Sequence, residues 1–292
     1  DGRGQCVEVA GDPQAEYILS FDPSWSESES SDDFAMQVFK LNKETKQGTL
    51  VHSYAMPGTS LKSHIFYLLY LLQNFNVVSI VGDYNGGVQF LNACNESETF
   101  KEAGIKIECF DADFDNPQEY QAALKEARNQ YNIEAKRICL LRRPTSYWIR
   151  SANELLQSAF DHKRIWFAAS AIDDDYQRQR SKNIPIDKIK FLRFADSEEK
   201  GDAAKMIDFI EHQKDMIDLT KAQCALIQIT TTAQGTQSFD LPSNLRRQSG
   251  PDKARRDSYS ALVLGNWMIQ TYFDMMDYKA EEVETTFTPF LI

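Results

Sequence analysis

Three aspartates stand where rigid elements end or begin. Asp22 closes the apolar run "YILSFD" (17–22), and Asp83 closes "VVSIVGD" (77–83). Asp257 follows "KARR" and precedes the helical stretch "SYSALVLGNWMIQTYFDMM" (258–276). Such positions present side chains into clefts. A carboxylate at the end of a core strand is costly unless something pairs with it. If the 17–22 strand lies beside the 77–83 strand, Asp22 and Asp83 become neighbours. Carboxylates sharing one cleft repel each other, so their pKa values rise or a divalent cation is needed. Hard oxygen ligands suit Mg2+ or Mn2+. Two such ions about 3.5–4 Å apart could activate a water and stabilise the leaving oxygen in phosphodiester cleavage.

Each residue also has a plainer reading. Asp22 before Pro23 could start a turn. Asp83 in "GDYNGG" could be the turn residue after a strand. Asp257 could be an N-cap, with Ser258 as rival. Asp33, or its neighbour Asp32, begins the next strand across the connection from Asp22 and is a further candidate metal ligand; a solvated loop end competes. Asp252 is a weaker auxiliary. "DADFD" (111–115) resembles half a calcium loop, without the glycine and distal glutamate. "DDD" (173–175) reads as exposed. Arg142, Arg143, Arg246, Arg247, Arg255 and Arg256 could contact phosphates, giving salt-sensitive, sequence-independent binding. Arg255 and Arg256 have the best claim because they adjoin Asp257. Pairing with this chain's own carboxylates is the alternative for each. The four histidines show no ligand spacing. Trp25 and Trp148 read as core or rim aromatics.

The elements that would position these groups follow from periodicity. Residues 17–23 read as a first strand, "FAMQVFKLN" (34–42) as a half-buried second, and "TLVHSYAMP" (49–57) as a third, together an antiparallel meander. Ser60 then N-caps a helix over 60–75 with a leucine-rich stripe. "VVSIVGD" reads as a buried parallel strand. A helix over 87–103 ends at Gly104, and 105–113 is another strand. The second half is more helical. Pro117 opens a helix to about Tyr131. "RICLLRR" is a strand or a buried helix entry, and "SYWIRSANELLQSAF" (146–160) is helical. "IWFAA" (165–169) is a candidate strand, and 201–218 is helical. "AQCALIQITTTAQGTQSFDLP" (222–242) reads as a hairpin. The fold class is α/β: a mixed sheet of five or more strands flanked by helices.

Composition narrows the function classes. The 292 residues are 42 % hydrophobic and 26 % charged, enough for a sizeable core in one large domain or two ordinary ones. No apolar run is long enough to span a bilayer. Five widely spaced cysteines without a C-x-x-C pair indicate neither a zinc ribbon nor a disulfide scaffold, and fit a reducing, intracellular setting. A net charge of −11 argues mildly against strong nucleic-acid affinity, though "KRICLLRR" and "LRRQSGPDKARRD" are basic islands. The chain starts with Asp1, which suggests a piece of something longer.

The stretches "YILSFDPSW…DDFAMQVFKL", "VVSIVGDYNGG" and "RRDSYSALVLGNWM" resemble the ribonuclease H-like nuclease domain of tailed-phage large terminases. They hold the family's three acidic positions in order, here Asp22, Asp83 and Asp257. The hairpin "ITTTAQGTQSFDLP" before the last motif also resembles the family. The resemblance covers essentially the whole chain and implies one nuclease domain over 1–292. It implies a two-metal (Mg2+ or Mn2+) endonuclease that cuts concatemeric double-stranded viral DNA during packaging, with little sequence preference. It further implies a portal ring and a small terminase subunit as partners of the full protein, a monomeric isolated domain, no membrane, and the host cytoplasm. The family's P-loop ATPase is not matched, since no G-x-x-x-x-G-K-[ST] occurs. This chain therefore reads as the nuclease half. The alternatives are another ribonuclease H-like nuclease, such as a Holliday-junction resolvase, and a non-catalytic portal-docking domain.

Overall fold

The computed structural model describes residues 6–24, 32–56, 60–111, 122, 138–169, 202–231, 237–250 and 253–286. Trp25, the Pro117 helix, most of "DADFD", the "DDD" run and Asp252 lie outside these residues. The strands are β1 (Tyr17–Asp22), β2 (Phe34–Asn42), β3 (Gln47–Met56), β4 (Val77–Asp83), β5 (Glu108–Asp111), β6 (Ile138–Arg142) and β7 (Ile165–Phe167). They form one sheet in the order β5-β6-β4-β1-β2-β3-β7. Thus β1 is the middle strand of seven, with β4 parallel on one side and β2 antiparallel on the other. Among the described strands of this sheet only β2 runs against the rest. A separate antiparallel pair, β8 (Gln228–Thr231) and β9 (Gln237–Asp240), stands before the last helices.

Helices cover both faces. On one side lie α1 (Leu61–Asn74), α2 (Tyr84–Glu96) and α3 (Glu98–Glu102), packed on Tyr17, Leu19 and Phe21. On the other lie α4 (Ser146–Asp161) and α7 (Asp257–Thr286), packed on Ile18, Phe39 and Val81. Helix α5 (Asp202–Leu226) contributes to both cores, through Phe209 and Ile210 to the first and Ile217 to the second. A short helix α6 (Ser243–Arg246) follows the hairpin.

The mixed α/β architecture is the one expected, and several boundaries differ. The helix read over 87–103 is two helices, split at Ser97, whose hydroxyl accepts the Phe100 N–H and so caps α3. "RICLLRR" is the strand β6, and the 105–113 strand begins only at Glu108. The hairpin read from residue 222 begins later, because α5 continues to Leu226. The reason is tertiary: Gln223 is buried there and its Oε1 accepts the Tyr259 N–H at 3.1 Å. Such a contact overrides local β propensity.

Two glycines are needed where β4 meets its neighbours. A Cβ on Gly82 would lie 2.3 Å from the Phe21 ring. Gly86 has φ +86°, which lets the chain turn sharply after Asp83 before α2 continues.

Candidate active site

Strand alternation sets which side chains face α7. Tyr17, Leu19 and Phe21 face the first core while Ile18 faces the second. With a period of two, Ser20 and Asp22 share Ile18's face. The Ser20 hydroxyl accordingly donates to the Ala261 carbonyl of α7 at 2.7 Å. In β4, Val81 belongs to the second core, so Asp83 faces the same way. Parallel pairing in register sets Phe21 opposite Gly82, which brings Asp22 and Asp83 to adjacent strand ends. Asp257 is the first residue of α7, which packs across that face. All three carboxylates line one cavity of about 490 Å³.

Each carboxylate is held by a donor from the protein. Ser260, one turn into α7, donates to Asp22. The Asn85 N–H donates to Asp83 Oδ1 at 2.6 Å, making Asp83 the cap of α2. The Asp33 N–H donates to Asp257 Oδ2 at 2.8 Å. The electrostatics are unfavourable for three ionised groups. Burial, then the charges of Asp257 and Asp83, push Asp22 well above the usual carboxylate range; Ser260 and Arg256 offset only part of this. Burial raises Asp83 to about 6 against the opposing Asn85 bond. Burial likewise raises Asp257 to about 7, opposed by the Asp33 N–H and Arg256, with Asp32 and Asp33 adding to the rise.

The donor set suits a hard divalent cation in chemistry: three carboxylates, each with acceptor positions beyond these hydrogen bonds, in a cavity with excess negative charge. Among the described residues, no three acidic, histidine or cysteine side chains are already gathered into a cation cage. The aspartates share a cavity without converging on one point, so the fit is in charge and donor type.

The auxiliary acid lies beside the site. Asp33, expected as a metal ligand, is buried outside the cavity lining and pairs with Arg255 at 3.2 Å. Its main-chain N–H holds Asp257, and its charge adds to the rise of the Asp257 pKa. The neighbouring Asp32 lines the cavity and pairs with Lys253 at 2.7 Å.

The arginines separate in the same way. Arg142, expected at a phosphate, is 3 % exposed and packs over the Trp148 and Trp267 rings, 5.6 and 5.1 Å from their centroids, in the corner formed by their edge-to-face contact. Trp148 is a core aromatic, and Trp267 packs against the same core. Arg143 is exposed, stacks on Tyr84 at 3.9 Å and pairs with Asp111 at 2.7 Å. Arg247 is exposed at the end of α6. Arg255 is bound to Asp33. Arg246 and Arg256 both reach Asp240, and Arg256 also lines the cavity. Sequence reasoning missed Ser260, Asn85 and Asp240. Ser260 had a signal, since i and i+3 from Asp257 share a helix face. Asp240 had none.

Fold and site together define an α/β domain whose central strands and last helix aim three carboxylates into one cavity. No family model matches the sequence, and no curated protein matches it. Three solved structures are similar in the course of the chain. The large terminase nuclease from thermophilic phage G20c gives a TM-score of 0.41 at 13 % identity, over 90 % of this chain and 88 % of that one. The HK97 bacteriophage large terminase gives 0.45 at 9 % identity, over 89 % of this chain and 41 % of that one. A large terminase from another thermophilic bacteriophage, solved in complex with ATP-gamma-S, gives 0.26 at 13 % identity, over 48 % of this chain and 32 % of that one. At these identities and scores the likeness assigns no residue a role. Among the described residues, no helix is long and apolar enough to cross a membrane.

Proposed function

We propose that the chain is a cation-dependent endonuclease acting on double-stranded DNA, with Asp22, Asp83 and Asp257 as its catalytic carboxylates. The observation that carries this is the shared cavity: three elements far apart in sequence aim three carboxylates into it, and the charges of Asp257 and Asp83 both act on Asp22. One or two Mg2+ or Mn2+ ions held there would supply Lewis-acid activation of water and stabilisation of the leaving oxygen. The protein's own part is to hold the three acids apart and in place. Ser260, the Asn85 N–H and the Asp33 N–H each hold one. Arg256, at the cavity wall, faces the same space with a positive charge suited to a phosphate oxygen. Backbone contacts of this kind carry no sequence information, which agrees with cleavage of little sequence preference. The setting we propose, from the resemblance of the three sequence motifs, is viral genome packaging in a host cell, with a portal ring and a small terminase subunit as partners of a longer protein.

The test is cleavage of plasmid DNA with Mn2+ or Mg2+ by the wild type and by Asp22→Ala, Asp83→Ala and Asp257→Ala. Cleavage by the wild type, lost in every variant with the fold retained by circular dichroism, is expected. A fully active Asp22→Ala protein would sink the proposal. Cutting of four-way junctions but not linear duplex would replace it with a resolvase.

A further inference from the structure

The end of the hairpin carries an arrangement that the carboxylate site does not explain. Asp240, the last residue of β9, is contacted by two guanidinium groups. Arg246 Nη1 donates to its Oδ2 at 2.9 Å, and Arg256 Nη1 lies 3.3 Å from its Oδ1. The Leu241 N–H also donates to Oδ1, at 2.8 Å. Arg256 is further held by the Phe239 carbonyl at 3.3 Å. Both arginine side chains are open to solvent, at 62 % and 46 %, whereas Asp240 between them is 24 % exposed. Arg256 is also part of the cavity wall that holds Asp22 and Asp257.

Two guanidinium groups converging on one small anion is the recognition geometry of a phosphate. Ion pairs this exposed are weak and exchange readily. A carboxylate carries one negative charge and two acceptor oxygens, so it is a partial surrogate for a phosphodiester. We infer that Arg246 and Arg256 form a phosphate subsite for the DNA backbone beside the carboxylate cavity, and that Asp240 occupies this subsite until a backbone phosphate displaces it. The inference rests on the nuclease reading for its choice of ligand. It gives Asp240 a role opposite in sign to that of a structural ion pair. The acid lowers DNA affinity by neutralising one of two phosphate-binding charges.

The experiment is fluorescence anisotropy of a short labelled duplex against the whole chain over a salt series in EDTA. Asp240→Asn keeps an oxygen for the Leu241 N–H and removes the charge. It should bind several-fold tighter than wild type, and its affinity should fall more steeply with salt, by about 1 in the log–log slope. Arg246→Ala/Arg256→Ala should bind more weakly than wild type, and adding both to Asp240→Asn should abolish the gain. Equal or weaker binding by Asp240→Asn with an unchanged melting temperature overturns the inference. If Asp240→Asn fails to fold, the double arginine variant decides alone: wild-type affinity overturns the inference, and a loss with a steady melting temperature supports it. Cleavage with Mn2+, measured in parallel, separates the two readings. A wild type that binds but does not cut removes the nuclease and leaves the phosphate subsite standing.

Discussion

Replacing Asp257 by asparagine should make the cation-free protein more stable, because the native carboxylate sits where its charge is unwelcome. Its pKa rises from 3.8 to about 7, first through burial and then through Asp32 and Asp33, against the opposing Asp33 N–H and Arg256. A folded pKa above the unfolded one means that the native state holds the extra proton between those two values. Stability therefore falls as pH rises through that window and levels off above it. At about 1.4 kcal/mol per pKa unit, keeping Asp257 ionised near pH 8 costs up to about 4 kcal/mol. The side chain borders a cavity reached by water, and screening reduces this to about 2 kcal/mol. Asparagine retains an oxygen for the Asp33 N–H, so the charge is the main thing removed. For 292 residues, at about 2.1 cal/mol/K of unfolding entropy per residue, the gain corresponds to a rise in melting temperature of about 3 °C. Calorimetry in EDTA would measure it, and near pH 5 the gain should shrink to less than about half its value near pH 8. With Mn2+ at about 100 times its Kd the wild type should gain about 2.7 kcal/mol. Asp257→Asn should gain far less, which reverses the order of the two proteins. An asparagine variant no more stable than wild type near pH 8 without cation would refute the reasoning.

Mn2+ affinity, measured by calorimetric titration, should rise with pH across the range in which Asp83 (about 6) and Asp257 (about 7) release their protons. A flat profile there would mean that these carboxylates are not ligands. Ser260→Ala should weaken Mn2+ binding by about 10-fold or more with little change in melting temperature, and Ser260→Thr should restore most of it. Unchanged affinity in the alanine variant would show that Asp22 does not depend on this hydroxyl. Arg142→Ala should lose about 2 kcal/mol or more in urea unfolding, because the buried guanidinium packs over two indole rings. Retained stability would show that these ring contacts do not support the fold. Gly265→Ala should cost about 1–3 kcal/mol in the same assay. Its Cβ would fall 2.2 Å from the Phe39 ring.

The positions of Asp22 and Asp83 were legible because strand alternation is local. Apolar runs of six and seven residues ending in aspartate define both the strand and the face on which each acid emerges. What stayed hidden depends on phase or on distant partners. Asp32 and Asp33 are adjacent, and of the two it is Asp32 that lines the cavity. The choice depends on how residues 32 and 33 lead into β2, which no residue pattern states. Arg142 and Arg143 look alike in "LLRR", yet one packs over Trp148 and Trp267 while the other stacks on Tyr84. Trp267 is far along the chain and gives no local sign of this. The extent of α5 is hidden for the same reason: "TTTAQGTQ" has the composition of a hairpin, while Gln223 just before it is held in the helix by Tyr259.

The oddly placed carboxylate at the end of the central strand follows from its neighbour. Phe21 turns to the first core, and its ring fills the space over Gly82. A side chain at position 82 would force the ring aside or part β1 from β4. The glycine therefore permits the close pairing that sets Asp22 and Asp83 at adjacent strand ends. The alternation that buries Phe21 must then aim Asp22 at α7, where Ser260 receives it and Asp257 opposes it. The same residues that make β1 the centre of the core thus create the electrostatic conflict at its end. A hard cation would resolve that conflict without any change in the packing that produced it.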